Sequence, residues 1–190
     1  MKTKRTLFLT ALLLFVSHAF MAQTYYYNET KTFYENGYTY QCDTDMRTAR
    51  VTLYNKESKY TYERLVFKDG SDANGAMVFH GMRPLENDDW TYQTGVSIVD
   101  KAFSAEERKR VAGKELVVTQ LIDSSTGKVI EVYFNFIYTA PFATIPVSTY
   151  RKIELELKEK VWFTPTADGK RMKFIMNSWR QEISRLPADK

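Results

Sequence analysis

The chain has 190 residues, among them 27 Lys or Arg, 23 Asp or Glu, two His and one Cys. Three of the cations, Lys2, Lys4 and Arg5, lie in the first 22 residues, which carry no acid. The remainder therefore holds 24 cations against 23 anions, a net charge of +1 that excludes the electrostatic footprint of a nucleic-acid binder. A single Cys excludes an internal disulfide, and His80, the one His beyond the first 22 residues, excludes a paired-His metal motif.

Residues 1–22 read as a secretory signal peptide: a basic start, an apolar run from Leu7 to Val16 broken only by Thr10, and small residues at Ala19 and Ala22. The run falls short of the roughly 20 apolar residues that a membrane-spanning helix needs, so cleavage is expected and no stable span remains afterwards. Cys42 follows Thr39-Tyr40-Gln41 rather than the small residues of a lipobox, which argues against a lipid anchor. The expected location is periplasmic or secreted. The mature chain, about 168 residues, is long enough for one compact domain or two small ones sharing a core.

Residues 23–99 read as an antiparallel, β-rich N-terminal half. Thr32 to Glu35 and Tyr38 to Asp43 flank Asn36-Gly37, whose residues supply the positive φ that a tight hairpin turn requires. Arg47 to Tyr54 sets Ala49, Val51 and Leu53 against Thr48, Arg50 and Thr52, the period of a half-buried strand. Tyr60 to Phe67 is expected to continue as a strand, Asp69 to Gly75 as a polar turn, and Trp90 to begin another strand after the acidic turn Glu86 to Asp89. Nine of the 13 Tyr fall between Tyr25 and Tyr62, which makes an aromatic sheet face, with Tyr25, Tyr27, Tyr38 and Tyr40 as candidate glycan-stacking residues. The plainer account is that Tyr is a good strand residue with one wet end.

Residues 100–185 read as helix, hairpin, helix and strand, with residues 186–190 as a frayed tail. Ser104 and Glu107 form a capping box ahead of a helix that Gly113 ends. Glu115 to Tyr138 is a hairpin around Asp123-Ser124-Ser125-Thr126-Gly127-Lys128, with Ile130, Val132, Phe134 and Phe136 on one face. Such a face needs a cover, and the stripe Tyr150, Ile153, Leu157 and Val161 on a helix from Ser148 or Thr149 to about Lys160 supplies it. Arg171 to Trp179 alternates Met172, Phe174 and Met176 against Arg171, Lys173 and Asn177, a last half-buried strand.

No catalytic residue or cofactor site emerges. His80 with Cys42 lacks any supporting nucleophile motif, and the acidic pairs Asp43/Asp45 and Asp88/Asp89, the only basis for a hydrolase reading, are of the kind that surface turns produce. Gly127-Lys128 lacks the upstream Gly of a phosphate loop.

The order helix, Gly113, strand, the D-x-x-T-G-K turn, strand, helix, then Phe163-Thr164-Pro165 and Gly169-Lys170 before the last strand resembles the TonB C-terminal domain from about Phe103 to Glu182. The whole chain also resembles small exported proteins of Gram-negative bacteria for which no activity is implied. The TonB resemblance implies a three-stranded antiparallel sheet on two helices, with the last strand at an edge that accepts an extended segment of an envelope protein by strand addition. Carried over by position, the partner-binding stretch is Lys173, Phe174, Ile175, Met176 and Asn177. The overall expectation is an α+β, non-enzymatic binding protein without a cofactor, with glycan binding by the Tyr-rich sheet as the alternative.

Overall fold

The computed structural model describes residues 24–184. The readings of residues 1–22 as a signal peptide and of 186–190 as a tail fall outside them. In chain order the described elements are β1 (Lys31–Glu35), β2 (Tyr38–Asp45), β3 (Arg50–Asn55), α1 (Ala73–His80), α2 (Asp89–Ala102), α3 (Ala105–Val111), β4 (Glu115–Ile122), β5 (Val129–Ile137), a 3-10 turn (Pro141–Thr144), α4 (Val147–Lys160), α5 (Ala167–Arg171) and β6 (Ile175–Glu182). The six strands form one antiparallel sheet in the order β1-β2-β3-β5-β4-β6, an α+β fold. The pairing of β3 with β5, Leu53 opposite Phe134, merges the two halves of the chain into that sheet.

Alternation assigns each strand residue to a face. Cys42, Leu53, Phe134, Val118 and Trp179 lie in one cross-strand row, and their face is covered by helices. From α4, Tyr150 stacks on Phe136 at 5.5 Å and tilts against Phe134 at 5.0 Å, while Ile153 and Leu157 are fully buried behind it. Tyr27 closes the same cluster against Phe33, Phe136 and Tyr150, and its hydroxyl donates to the carbonyl of Ile145. Helix α2 lies beside α4 on this face. A Cβ on Gly95 would meet the Trp179 ring at 3.6 Å and Leu157 at 3.8 Å, and the Gln181 side chain donates to the Val96 carbonyl at 2.8 Å.

The opposite face is covered only at one end. The segment 56–68 crosses it as a strap, held where the Glu131 carboxylate accepts from the backbone N–H groups of Lys59 (2.7 Å) and Tyr60 (3.0 Å). Under the strap, Leu121 and Phe174 are buried, and Tyr60 stacks on Phe174 at 4.8 Å. This corrects the expected strand over Tyr60 to Phe67: the amides of Lys59 and Tyr60 are spent on a side chain rather than on a ladder, and only isolated bridges form, Val66 with Asp72 and Phe67 with Met172.

Two further expectations change. Of the turn expected over Asp69 to Gly75 only the first part is a turn: Asp72 caps α1 by accepting from the Gly75 amide, and Ala73 to Gly75 are already helical. The strand expected from Trp90 is the helix α2, whose buried residues Thr91, Gly95, Ile98, Val99 and Ala102 keep helical spacing. The capping box of α3 is present, with Ser104 and Glu107 bonding each other's amides. The final strand begins four residues later than expected, at Ile175.

The β4–β5 turn is held by the Asp123 carboxylate, which accepts from the Thr126 hydroxyl and amide and from the Ser125 amide. Those bonds, led by that from the Thr126 side chain, keep its pKa below the usual carboxylate value. Gly127 has φ +75°, and a Cβ there would stand 1.8 Å from the Phe163 carbonyl oxygen. Gly127→Ala is therefore expected to destabilise the protein by about 2–4 kcal/mol, from left-handed strain plus overpacking, read as a lowered urea midpoint. Glu131→Gln leaves one oxygen, on a buried side chain, to serve the two half-buried amides of the strap, an expected loss of about 1–3 kcal/mol. Hydrogen exchange should quicken at Lys59 and Tyr60 while the amides of β4 and β5 stay protected; uniform protection across the strap would refute its anchoring by Glu131.

Candidate functional site: the open sheet face and the β6 edge

Away from the strap, the uncovered sheet face is polar and open. Its rows run Thr52, Asn135, Val117 and Arg180, then Tyr54, Tyr133, Thr119 and Ser178, across β3, β5, β4 and β6. Asn135 is oriented by donating to Thr52 Oγ1 (2.9 Å) and the Val51 carbonyl (3.2 Å), and the Thr119 and Ser178 hydroxyls lie 3.0 Å apart. A groove of about 490 Å³ lies over this end, with Arg50, Glu115, Val117, Asn135, Ser178 and Arg180 in its lining. Arg180 is 3.8 Å from the Glu115 carboxylate, and both side chains are largely exposed.

At the other end of this face, Asp43 accepts from the hydroxyls of Tyr54 (2.8 Å) and Tyr62 (2.7 Å). Burial, then the bond to Asp43, pushes the Tyr54 phenol up to about 12 and Tyr62 further still. These rings are thereby fixed against the sheet under and beside the strap.

The candidate glycan residues do not share a surface. Tyr27 and Tyr40 have no exposed area: the Tyr27 hydroxyl bonds Ile145, and the Tyr40 hydroxyl donates to Glu154, itself buried on α4 with Arg151 at 2.7 Å and Lys158 at 3.6 Å. A ring without a free face cannot stack on a sugar, so Tyr27 and Tyr40 are core residues. Tyr38 is half-buried, edge-on to Tyr40 and under the Arg151 guanidinium, and only Tyr25 is well exposed.

The expected partner-binding stretch divides in two. The Lys173 amide is taken by the Val66 carbonyl and its ammonium by Glu63, Phe174 lies under Tyr60, and Ile175 is fully buried. Met176 and Asn177, however, belong to β6, which pairs with β4 alone over its eight residues. At the end of that strand, Ile183 directs both its N–H and its C=O towards Gly113 and Lys114 on the β4 side. Antiparallel alternation then directs those of Met176, Ser178, Arg180 and Glu182 outward, towards no strand among the described residues. Lys173, Phe174 and Ile175 therefore drop out of the free edge, and Ser178, Arg180 and Glu182 join it.

Residues considered for chemistry are not assembled. Cys42 is buried among Glu29 and Thr44, and burial raises its thiol pKa, whereas His80 is exposed at the end of α1. Asp45 is engaged in the Arg47–Thr48 turn, and Asp88 and Asp89 lie at the start of α2. Among the described residues no group of three His, Cys, Asp or Glu could hold a metal ion, and no helix is long and apolar enough to cross a membrane.

Sequence reasoning missed Arg50 and Arg180 as residues of one groove, because Arg50 reads as a solvated position of an alternating strand and Arg180 falls just past the last strand expected, Arg171 to Trp179. It located the last strand but not its register.

The comparisons with known proteins agree with this architecture. The crystal structure of a DUF5043 family protein from Bacteroides uniformis ATCC 8492 is 42% identical in sequence, with a TM-score of 0.78 over 84% of this chain and 95% of that one. None of the curated proteins matches this chain. The comparisons do not show the TonB C-terminal resemblance, and the family that they reach is a different one. A model described as a domain of unknown function, DUF5043, matches residues 23–179, and this chain belongs to that family.

Proposed function

We propose that the protein is an exported, non-enzymatic binding protein of the cell envelope that accepts an extended segment of another protein as a seventh strand along β6. The observation that carries this reading is the free edge itself. Strand β6 is eight residues long, about 26 Å, is in continuous register with β4, and turns the donors and acceptors of Met176, Ser178, Arg180 and Glu182 outward. Neither a proline nor a bulge interrupts it, so it lacks two of the usual devices that blunt an edge against pairing. In strand addition the main chain supplies affinity, and pockets beside the edge select side chains. The apolar leader of residues 1–22 supports export to the compartment where such a partner would be met.

Ser178 gives the most direct test. Ser178→Ala removes only a hydroxyl, whereas Ser178→Pro also removes an outward N–H that no ladder bond within the sheet uses. Tagged parent, Ser178→Ala and Ser178→Pro proteins, each shown by circular dichroism to be folded, are compared in pull-downs from cell-envelope extract. The expected result is a partner retained by the parent and Ser178→Ala and reduced at least about tenfold with Ser178→Pro, as loss of a backbone hydrogen bond with its ladder geometry implies. Equal recovery with all three would refute pairing at β6.

A further inference from the structure

The groove beside β6 has a feature that strand addition does not need. Arg50, from β3, and Arg180, from β6, point onto the same sheet face from positions three strand spacings apart, about 14 Å. Between them the sheet presents Ile137, Val117 and Asn135, whose amide nitrogen is already committed to Thr52 and the Val51 carbonyl, with Glu115 and Ser178 on the β4 and β6 side. The Arg50 side chain makes no ion pair or hydrogen bond among the described residues, although Asp45 stands opposite it on β2, and the Arg180 side chain has only the long, exposed contact with Glu115. Two guanidinium groups thus border a groove of 490 Å³, a volume within the usual range for small-molecule sites, and both retain their donors. A guanidinium recognises a carboxylate through two parallel N–H···O bonds, and it stays charged at any physiological pH.

We propose that this groove binds an elongated organic dicarboxylate, one carboxylate at Arg50 and the other at Arg180, with the apolar middle of the ligand over Val117. Glu115 competes with the ligand for Arg180, so it weakens binding and orients the guanidinium when the groove is empty. The Ser178 hydroxyl, at the β6 side, is positioned to donate to the carboxylate held by Arg180. The site does not depend on edge pairing, because a dicarboxylate has no peptide groups to add to β6.

Suberate, an eight-carbon dicarboxylate, and its neutral diamide are titrated into the ¹⁵N-labelled protein at low ionic strength, following backbone amides and arginine Nε–H signals by NMR. The expected result is saturable shifts at Val117, Asn135 and Ser178 and at the Arg50 and Arg180 side chains with suberate, and none with the diamide. Arg50→Gln and Arg180→Gln should each weaken binding at least about tenfold, the loss of one charge-assisted bidentate pair, and Glu115→Gln should tighten it. Both arginines are exposed, so these variants keep the fold, which their unchanged spectra away from the groove would verify. Absence of saturable shifts at millimolar suberate would overturn the proposal, as would equal binding of the diamide or unchanged affinity in the two arginine variants.

Discussion

The pairing of β3 with β5 is the constraint on which the rest of the structure depends. Without it, residues 31–55 would be a three-stranded meander with one apolar face and nothing to pack on, and the C-terminal unit would end at a bare β5 edge. With it, Leu53 and Val51 abut Phe134 and Phe136, and a single helix, α4, can cover both halves through Tyr150. The core that results runs without a break from Tyr27 to Ile183. Burial of large aromatic rings contributes area and orientation together, since Phe136 stacks on Tyr150 at an interplanar angle of 9° while Tyr27 meets both nearly edge-on.

That shared core explains which parts of the fold were legible in the sequence. Turns with a local mechanism could be read: Asn36-Gly37 with φ of 46° and 79°, the Asp123-to-Lys128 turn, and the capping box of Ser104 and Glu107. So could α4, whose stripe is made of large apolar residues. Helix α2 could not, because only Ile98 and Val99 of its buried face are large and apolar: Thr91, Gly95 and Ala102 are small, and at Gly95 Trp179 and Leu157 come close. A hydropathy pattern registers the size of the buried group, and here smallness is what the packing needs. The strap misled for a different reason. Its residues alternate like a strand, but the partner for its amides is the Glu131 carboxylate, 72 residues away from Lys59 in the chain.

The candidate site was less legible than the fold. A tyrosine is amphipathic, so its presence on a strand does not say which end is buried. At Tyr27 and Tyr40 the hydroxyls find partners inside, the Ile145 carbonyl and Glu154, and the whole residue is enclosed. The buried Glu154 is in turn kept company by Arg151, Lys158 and Asn55, so α4 carries into the protein a charged group that must find its partners on β2, on β3 and on α4 itself. Arg50 and Arg180 present the opposite difficulty: 130 positions separate them, and only the strand order places them over the same groove.

The asymmetry of coverage sets where recognition can occur. One sheet face is sealed by α2 and α4, and the strap seals only the end of the other face near Glu131. What remains exposed is the polar area from Arg50 to Arg180 and the two sheet edges. Of these edges, β1 is five residues long, with the exposed Tyr34 on its open face, while β6 offers eight residues in unbroken register and adjoins the groove. An extended segment on β6 would set alternate side chains beside Met176, Ser178 and Arg180, on the same face as the groove. Edge and groove are thus two consequences of one packing decision: a sheet six strands wide with a helix layer on one side and a single strap on the other leaves β6 with main-chain groups to satisfy and the open face with charges to neutralise.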